Sequence, residues 1–385
     1  MFLNLTFLEI PVIISCILSV LTVLYLAIVS NFIRGWNSVE CYIDAEKELS
    51  TRVTVIIAAR NEEKIISKTL DDLVAQSYDK KLTEIIFIND HSTDRTAEII
   101  ASYTDHGVKL INLNEDKPLN SYKKKAIQTA IADSWGTLIV TTDADCRMGA
   151  DWLKTIVSFY EHGKFRMISS PVVYFEEKSF FERAQALEFL YLIGLGAATI
   201  GNRTPATCNG ANLAYEKEAF YEVGGFKGID DLASGDDELL LHKMAKAYEG
   251  NIGFLKNTNA IVYTHAKGSL REFIQQRKRW SSKSTRYKNK LVIALGCFIW
   301  LFNLSIITNI CIGFINHLYL YAAFFQLAAK IFIELIFLIG ITGFVFRRKL
   351  LWLLPVVSVL HVLYIIYIGI AGNSGKYKWK GRMVR

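Results

Sequence analysis

Leu138-Ile139-Val140-Thr141-Thr142-Asp143-Ala144-Asp145 runs from apolar and β-branched residues straight into two carboxylates. A short, wholly apolar run reads as a strand buried on both faces, so its end is where the backbone leaves the core. In open α/β sheets, ligands sit outside the carboxyl ends of the strands. Two carboxylates at i, i+2 crowd hard oxygens into one small volume, where they repel each other unless a cation intervenes. Such oxygens suit Mg²⁺ or Mn²⁺ rather than zinc, and an ion held this way completes its shell with substrate phosphates. A solvated acidic turn is the plainer alternative for this stretch.

The 385 residues allow two or three structural units, and the apolar residues are concentrated. Ile10–Ile33 and Leu351–Ala371 contain no Asp, Glu, Lys or Arg, and Leu291–Phe346 contains only Lys330 and Glu334. About 20 apolar residues cross a bilayer, so the outer runs fit one span each and the middle run fits two, with a break at Asn316-His317. The sequence therefore reads as an integral membrane protein: an anchor over 1–35, a polar domain over 50–285, and a C-terminal membrane region over 286–385 with about three apolar segments and a basic tail. The first run has no basic flank before it and no A-x-A site after it, which favours an anchor over a cleaved leader. Lys and Arg follow the first span rather than precede it, placing the polar middle in the cytoplasm. A fourth crossing would put the basic tail outside, so one C-terminal segment is expected to be re-entrant or interfacial. The net charge of +7 comes largely from Lys and Arg at membrane boundaries. It speaks for lipid head groups and against nucleic acid. The six cysteines form no C-x-x-C pair, which argues against a zinc site or a disulfide framework.

Within the polar middle, Val53–Ala59 and Glu84–Asn89 read as buried strands a βαβ unit apart. No G-x-G-x-x-G follows either of them. Asp90, at the end of the second strand, either accepts N–H and hydroxyl donors of a nucleoside or caps the next helix. Lys123-Lys124-Lys125 opens a helix against its dipole; either a diphosphate favours the cluster there or it is a solvated face. Glu176–Ile200 reads as an interfacial helix or an ordinary core helix. Thr207–Asn212 is small and amide-rich, as a loop approaching a sugar or a simple turn would be. Asp236, Asp237 and Glu238 start a helix through Ala247. They suit its dipole, and mutual repulsion would raise the pKa of a general base among them. In Gln276-Arg277-Lys278-Arg279-Trp280, Arg279 suits phosphate and Trp280 offers an apolar face to a sugar, unless the stretch only anchors to head groups.

Laid out in this order, these residues resemble the membrane-bound family 2 glycosyltransferases, which include cellulose, hyaluronan, chitin and poly-N-acetylglucosamine synthases and several lipid glycosyltransferases. Ala59-Arg60-Asn61-Glu62 is similar to that family's first nucleotide-binding turn, and Asn89-Asp90 to its second, where the Asp contacts uracil. Lys123-Lys124 is similar to its lysine motif, although Tyr122 stands where a Gly is usual. Asp143-Ala144-Asp145 matches the D-x-D whose second Asp binds the metal. Gly235-Asp236-Asp237 matches the acidic motif whose last Asp is the base, and Gln276 to Trp280 matches Q-x-x-R-W. The resemblance implies a GT-A fold flanked by transmembrane helices, Mg²⁺ or Mn²⁺, a UDP-sugar donor and inversion at the anomeric carbon. The small number of spans and the tail Trp379-Lys380-Gly381-Arg382, similar to that of ceramide glucosyltransferases, tilt the acceptor toward a membrane lipid over a growing glycan. A non-enzymatic membrane scaffold is the remaining alternative, and the retention of Asp143, Asp145 and Asp237 speaks against it.

Overall fold

The computed structural model describes residues 9–44, 47–115, 119–372, 377–379 and 382–384. Three parallel strands open the α/β domain: β1 (Val53–Ala59), β2 (Thr83–Asn89) and β3 (Val108–Asn112). Helices α2 (Ile66–Val74) and α3 (Thr96–Ala101) connect them, after the membrane helix α1 (Glu9–Ser38). Helix α4 (Tyr122–Asp133) then returns the chain to β4 (Leu138–Thr141), which pairs parallel to β1 on its other side. Strands β1, β2 and β4 are almost wholly buried, as continuous Val/Ile runs in a two-sided sheet must be. The strand order thus reverses between β1 and β4, and the crevice beyond their carboxyl ends is where such sheets hold ligands.

A short strand β5 (Arg147–Met148) and α5 (Trp152–Gly163) lead to β6 (Met167–Ser169) and β7 (Val172–Tyr174). After the long helix α6 (Phe180–Gly201) come β8 (Leu213–Glu216), α7 (Lys217–Glu222), α8 (Glu238–Ala247), β9 (Ile252–Phe254) and β10 (Val262–Thr264). Strand β8 pairs antiparallel to β4, completing a seven-stranded sheet in the order β3-β2-β1-β4-β8-β6-β9; β5, β10 and β7 form a second, small sheet. The outcome is a mixed α/β domain flanked by membrane-type helices, as the sequence indicated.

Among the described residues, five helices are long and apolar enough to cross a membrane: α1, α6, α10 (Lys290–Gly313), α11 (Leu318–Phe344) and the segment ending in α12 (Leu354–Ala371). The break in the long run falls between Gly313 and Leu318, around Asn316-His317. Helix α6 occupies most of the stretch expected to be helical, and most of it is buried against α1, α11, β7 and β9, which favours the core-helix reading. Both ends of the last segment touch the α/β domain. Arg347, just before it, donates to the Tyr174 carbonyl (3.1 Å) and to Glu177 (2.7 Å). The end of α12 packs on the amphipathic helix α9 (Leu270–Ser282). Of the basic tail, residues 377–379 and 382–384 pair as a hairpin beside α9; Lys376, Lys380, Gly381 and Arg385 lie outside the described residues.

Candidate active site

The acidic strand ends face one another. Asp90 follows β2, Arg60 follows β1, and the Asp143–Asp145 turn follows β4; all line one cavity of about 780 Å³. Asn61 and His91, in the turns after β1 and β2, hold positive φ (52° and 53°), which fixes both turns in a conformation few side chains favour. Arg60 braces the pair by donating to the carbonyls of Asp90 and His91 (2.8 and 2.9 Å). The cap alternative for Asp90 falls to Asp94, which accepts the Thr96 N–H (3.0 Å) at the start of α3. Asp90 stays buried in the cavity wall with Ala59 and Glu62.

The ligating atoms of Asp143, Asp145 and Cys146 lie within 4.8 Å of one another. The buried Thr69 hydroxyl fixes this turn against the carbonyls of Ala144 (2.9 Å) and Cys146 (2.8 Å). Burial, reinforced by the Asp145 and Asp143 charges, pushes the Cys146 thiol well above its ordinary range. Asp143 and Asp145 are partly open to the cavity while Cys146 is buried, and their hard oxygens suit Mg²⁺ or Mn²⁺.

The lysine pair divides. Lys123 reaches into the cavity and bridges Asp143 (2.8 Å) and Asp236 (3.0 Å). Burial disfavours its charge, but the two carboxylates outweigh that and hold its ammonium well above the usual lysine range. Lys124, proposed beside it for phosphate, is corrected by the structure. Its Nζ is spent on the carbonyls of Ile229, Leu232 and Ser234 (2.6, 2.7 and 2.7 Å), outside the cavity. Successive helical residues point about 100° apart, so only one of the two reaches a given ligand. Burial lowers the Lys124 pKa to about 8, and the ammonium ties down the segment leading into the acidic motif.

Asp237 caps α8, its Oδ1 accepting the Glu238 N–H (2.6 Å) and its Oδ2 the Gly210 N–H (3.2 Å). A β-carbon at Gly210 would lie 3.3 Å from both Asp236 Oδ2 and Asp237 Cβ, so glycine is what lets the loop approach this closely. Lys283 stands 3.5 Å from Asp237 and 2.9 Å from Glu238, and Thr207 donates to Glu238 (2.6 Å). Desolvation alone would raise the Asp237 carboxyl. Lys283, the Glu238 N–H, the Lys123 charge and the Gly210 N–H outweigh it and hold the group below the usual carboxylate range. The sequence-based expectation of a raised pKa is therefore overturned: the acids are interleaved with cations, not crowded together.

Helix α9 brings Gln276, Arg279 and Trp280 to the same cavity. Arg277, between them, is buried, and its guanidinium lies over Trp280 (4.2 Å to the ring centroid) and Phe273 (4.6 Å). It pairs with Glu188 of α6 (Nε, 3.2 Å) and donates to Gln276 (2.9 Å). One face of Trp280 is thus already taken by a cation.

The model of glycosyl transferase family 2 matches residues 54–224. This segment is a family 2 glycosyltransferase domain. A probable glycosyltransferase, YdaM of Bacillus subtilis, is 30% identical over 250 residues, covering 61% of this chain and 55% of the relative. The β-monoglucosyldiacylglycerol synthase of Synechocystis is 24% identical over 250 residues, 62% of this chain and 49% of the relative. The chain thus spans about half the length of these curated relatives. Among solved structures, a mannosyltransferase from Pyrobaculum calidifontis in complex with GDP-Man and Mn²⁺ superposes with a TM-score of 0.56 at 17% identity, covering 92% of this chain and 97% of that one. That likeness supports the GT-A fold.

The sequence reading left out several residues of this cavity. Glu188 was legible in principle, because a single carboxylate inside the apolar stretch of α6 requires a partner. Arg277 stood at an unspecified position of Q-x-x-R-W. Lys283, in a run of Ser and Lys, carried no distinguishing signal.

Proposed function

We propose that this protein transfers a sugar from a UDP-sugar to a membrane-lipid acceptor, with inversion, from a domain facing the cytoplasm. The observation that carries the reading is the convergence of Asp90, Asp143, Asp145, Asp237 and Arg279 on one cavity. In this reading Asp90, with the Ala59–Glu62 turn, receives the nucleoside. Asp143 and Asp145 would hold the divalent ion, which would supply positive charge to the leaving diphosphate. Arg279 and Lys123 add fixed positive charge there, where preorganised groups act most strongly on developing charge. Asp237, with Asp236 beside it, takes the proton from the acceptor hydroxyl as that oxygen attacks C1 of the sugar. The C1–O bond to the diphosphate breaks on the opposite face, so UDP leaves and the configuration inverts.

Two things support a lipid acceptor. The cavity wall continues from the acidic cluster onto the apolar Leu192 and Ile193 of α6 and Ile365 and Ile368 of α12. One relative is named as a synthase of a glucosylated diacylglycerol. The test uses the purified full-length protein in phospholipid vesicles, with radiolabelled UDP-glucose, UDP-galactose, UDP-N-acetylglucosamine or GDP-mannose, with and without Mn²⁺. A labelled product that partitions into organic solvent and moves as a single glycolipid is expected. A water-soluble ladder of increasing length would replace this reading with polysaccharide synthesis.

A further inference from the structure

Where α11 ends and α6 begins, a second basin of about 630 Å³ opens, sharing no lining residue with the acidic cavity. Its lining carries cations and no carboxylate. Arg183 comes from the first turn of α6, Arg347 from the turn after α11, and Arg348 and Lys349 from the short helical segment Arg348–Leu353. That segment packs on both α6 and α11, which brings the four together. Phe346 turns the chain with a positive φ of 57°, a conformation that a bulky residue rarely holds, and is left 85% exposed. Gly343 gives Arg348 its seat on α11: a β-carbon there would lie 3.2 Å from Nε and Nη2 of the guanidinium. Arg347 pairs with Glu177 (2.7 Å). Among the described residues Arg183, Arg348 and Lys349 make no ion pair, and all three are exposed. Cations suit the carboxyl end of a helix, and a basic flank fixes the orientation of a membrane span. Neither accounts for Arg183, which joins the same basin from the start of another helix, where a cation opposes the dipole.

We infer that this basin binds the phosphate of an anionic phospholipid head group, as a site separate from the one where sugar is transferred. The inference depends on neither the sugar donor nor the acceptor. Arg183 and Arg348 offer planar forks that match phosphate oxygens, and Lys349 adds a compact charge. Basic pockets between membrane helices are where such head groups are held. The surroundings favour a lipid over a free anion. Phe346 and Trp352, the latter 89% exposed, stand beside the cations at the ends of helices long enough to cross a bilayer. Exposed aromatic rings at that level sit at the lipid–water boundary. A zwitterionic head group would bring its own cation among three that are already unpaired, whereas a singly negative one would not. Arg347 also donates to the Tyr174 carbonyl (3.1 Å), and Tyr174 lines the acidic cavity. A lipid held in the basin would therefore seat the α/β domain on the bilayer through the strand end that forms part of the cavity wall.

The test titrates the full-length protein in detergent with dioctanoyl-phosphatidylglycerol, dioctanoyl-phosphatidylcholine or inorganic phosphate, and follows binding by thermophoresis. Phosphatidylglycerol should bind at least about tenfold tighter than either of the others, since two unpaired cations near a membrane surface suffice for that. Arg183→Gln, Arg348→Gln and Lys349→Gln should each weaken it about fivefold, the share of one cation. Arg348→Lys, which keeps the charge, should recover part of the loss. The exposed pair Lys288 and Lys290, at the start of α10, serves as the control. Changing both to Gln removes more charge than any single basin variant, yet should leave binding within about twofold. Melting curves without lipid should coincide for all variants, because every altered side chain is exposed; a variant that melts early is replaced in the comparison by Lys349→Gln. Equal binding of the two lipids, or an equal loss in the Lys288 and Lys290 control, overturns the inference in favour of diffuse charge. Inorganic phosphate bound as tightly as phosphatidylglycerol overturns it in favour of a soluble anion.

Discussion

Asp237→Asn isolates the proton-transfer step from everything else the cavity does. The substitution is nearly isosteric, and its remaining oxygen can still accept from the Glu238 or Gly210 N–H that now hold the carboxylate (2.6 and 3.2 Å). The charge it removes does not strand a cation. Lys283 keeps Glu238 at 2.9 Å, and Lys123 keeps Asp143 and Asp236 at 2.8 and 3.0 Å. The fold and the nucleotide end of the cavity should therefore survive. An amide cannot take the acceptor's proton, and general-base help is worth roughly 10²–10⁴-fold, or ~2.7–5.5 kcal/mol of barrier. Single-turnover transfer of radiolabelled sugar should fall by that factor in kcat. UDP binding by calorimetry should remain within about threefold, because the lost interaction is made in the transition state. Transfer within about tenfold of the unmodified protein would refute the role of Asp237 and move the search to Asp236 or Glu238.

Lys283→Met removes the largest influence lowering the Asp237 carboxyl, so the acid limb of the pH profile of kcat/KM should move toward neutrality. The sign follows because the base works only when ionised: activity is lost as pH falls through its pKa, and that pKa rises when the cation goes. An unmoved limb would separate Lys283 from the base. Asp145→Asn should weaken Mn²⁺ binding at least about tenfold, followed by calorimetry, whereas Cys146→Ser should leave it unchanged, because hard carboxylate oxygens hold the ion. Lys124→Met should lower the thermal midpoint, since each carbonyl of Ile229, Leu232 and Ser234 left unpaired costs ~1–3 kcal/mol. Lys330 and Glu334, paired at 2.7 Å inside the helical bundle, should behave as a unit. Either single neutralisation should destabilise by about 3–5 kcal/mol, and the double change Lys330→Met with Glu334→Leu by less. Detergent-solubilised melting curves compare the three.

Much of the fold was legible because its signals are local. The runs Val53–Ala59, Thr83–Asn89 and Leu138–Thr141 are β-branched, uncharged in their cores and closed by polar turns, so strand identity and the position of the acidic tips follow from composition alone. Likewise the helix beginning at Glu238 is marked by Asp237 before it and by apolar spacing after it. The break between α10 and α11 is marked by Asn316-His317, the polar interruption of an otherwise continuous apolar run. Harder to read was α6. Its apolar residues spread around the helix because it is covered on several sides, by α1 and α11 as well as by β7 and β9, and a helix buried all round has no single apolar stripe to detect.

The misjudged site residues share one physical cause: their roles depend on which charge lies opposite, and the sequence order does not show this. Lys123 and Lys124 are neighbours with the same side chain, yet one neutralises Asp143 and Asp236 while the other holds three carbonyls of a loop more than a hundred positions away. Asp236, Asp237 and Glu238 look like a self-repelling acidic run, but α4 delivers Lys123 and the chain beyond α9 delivers Lys283 among them. The same interleaving carries a mechanistic consequence. A carboxylate held below its usual range is fully ionised at neutral pH but a weaker base, so proton removal must be driven largely by the charge placed around the departing diphosphate. Arg279 and the acidic pair that would hold a divalent ion are therefore expected to matter as much to the rate as the base itself.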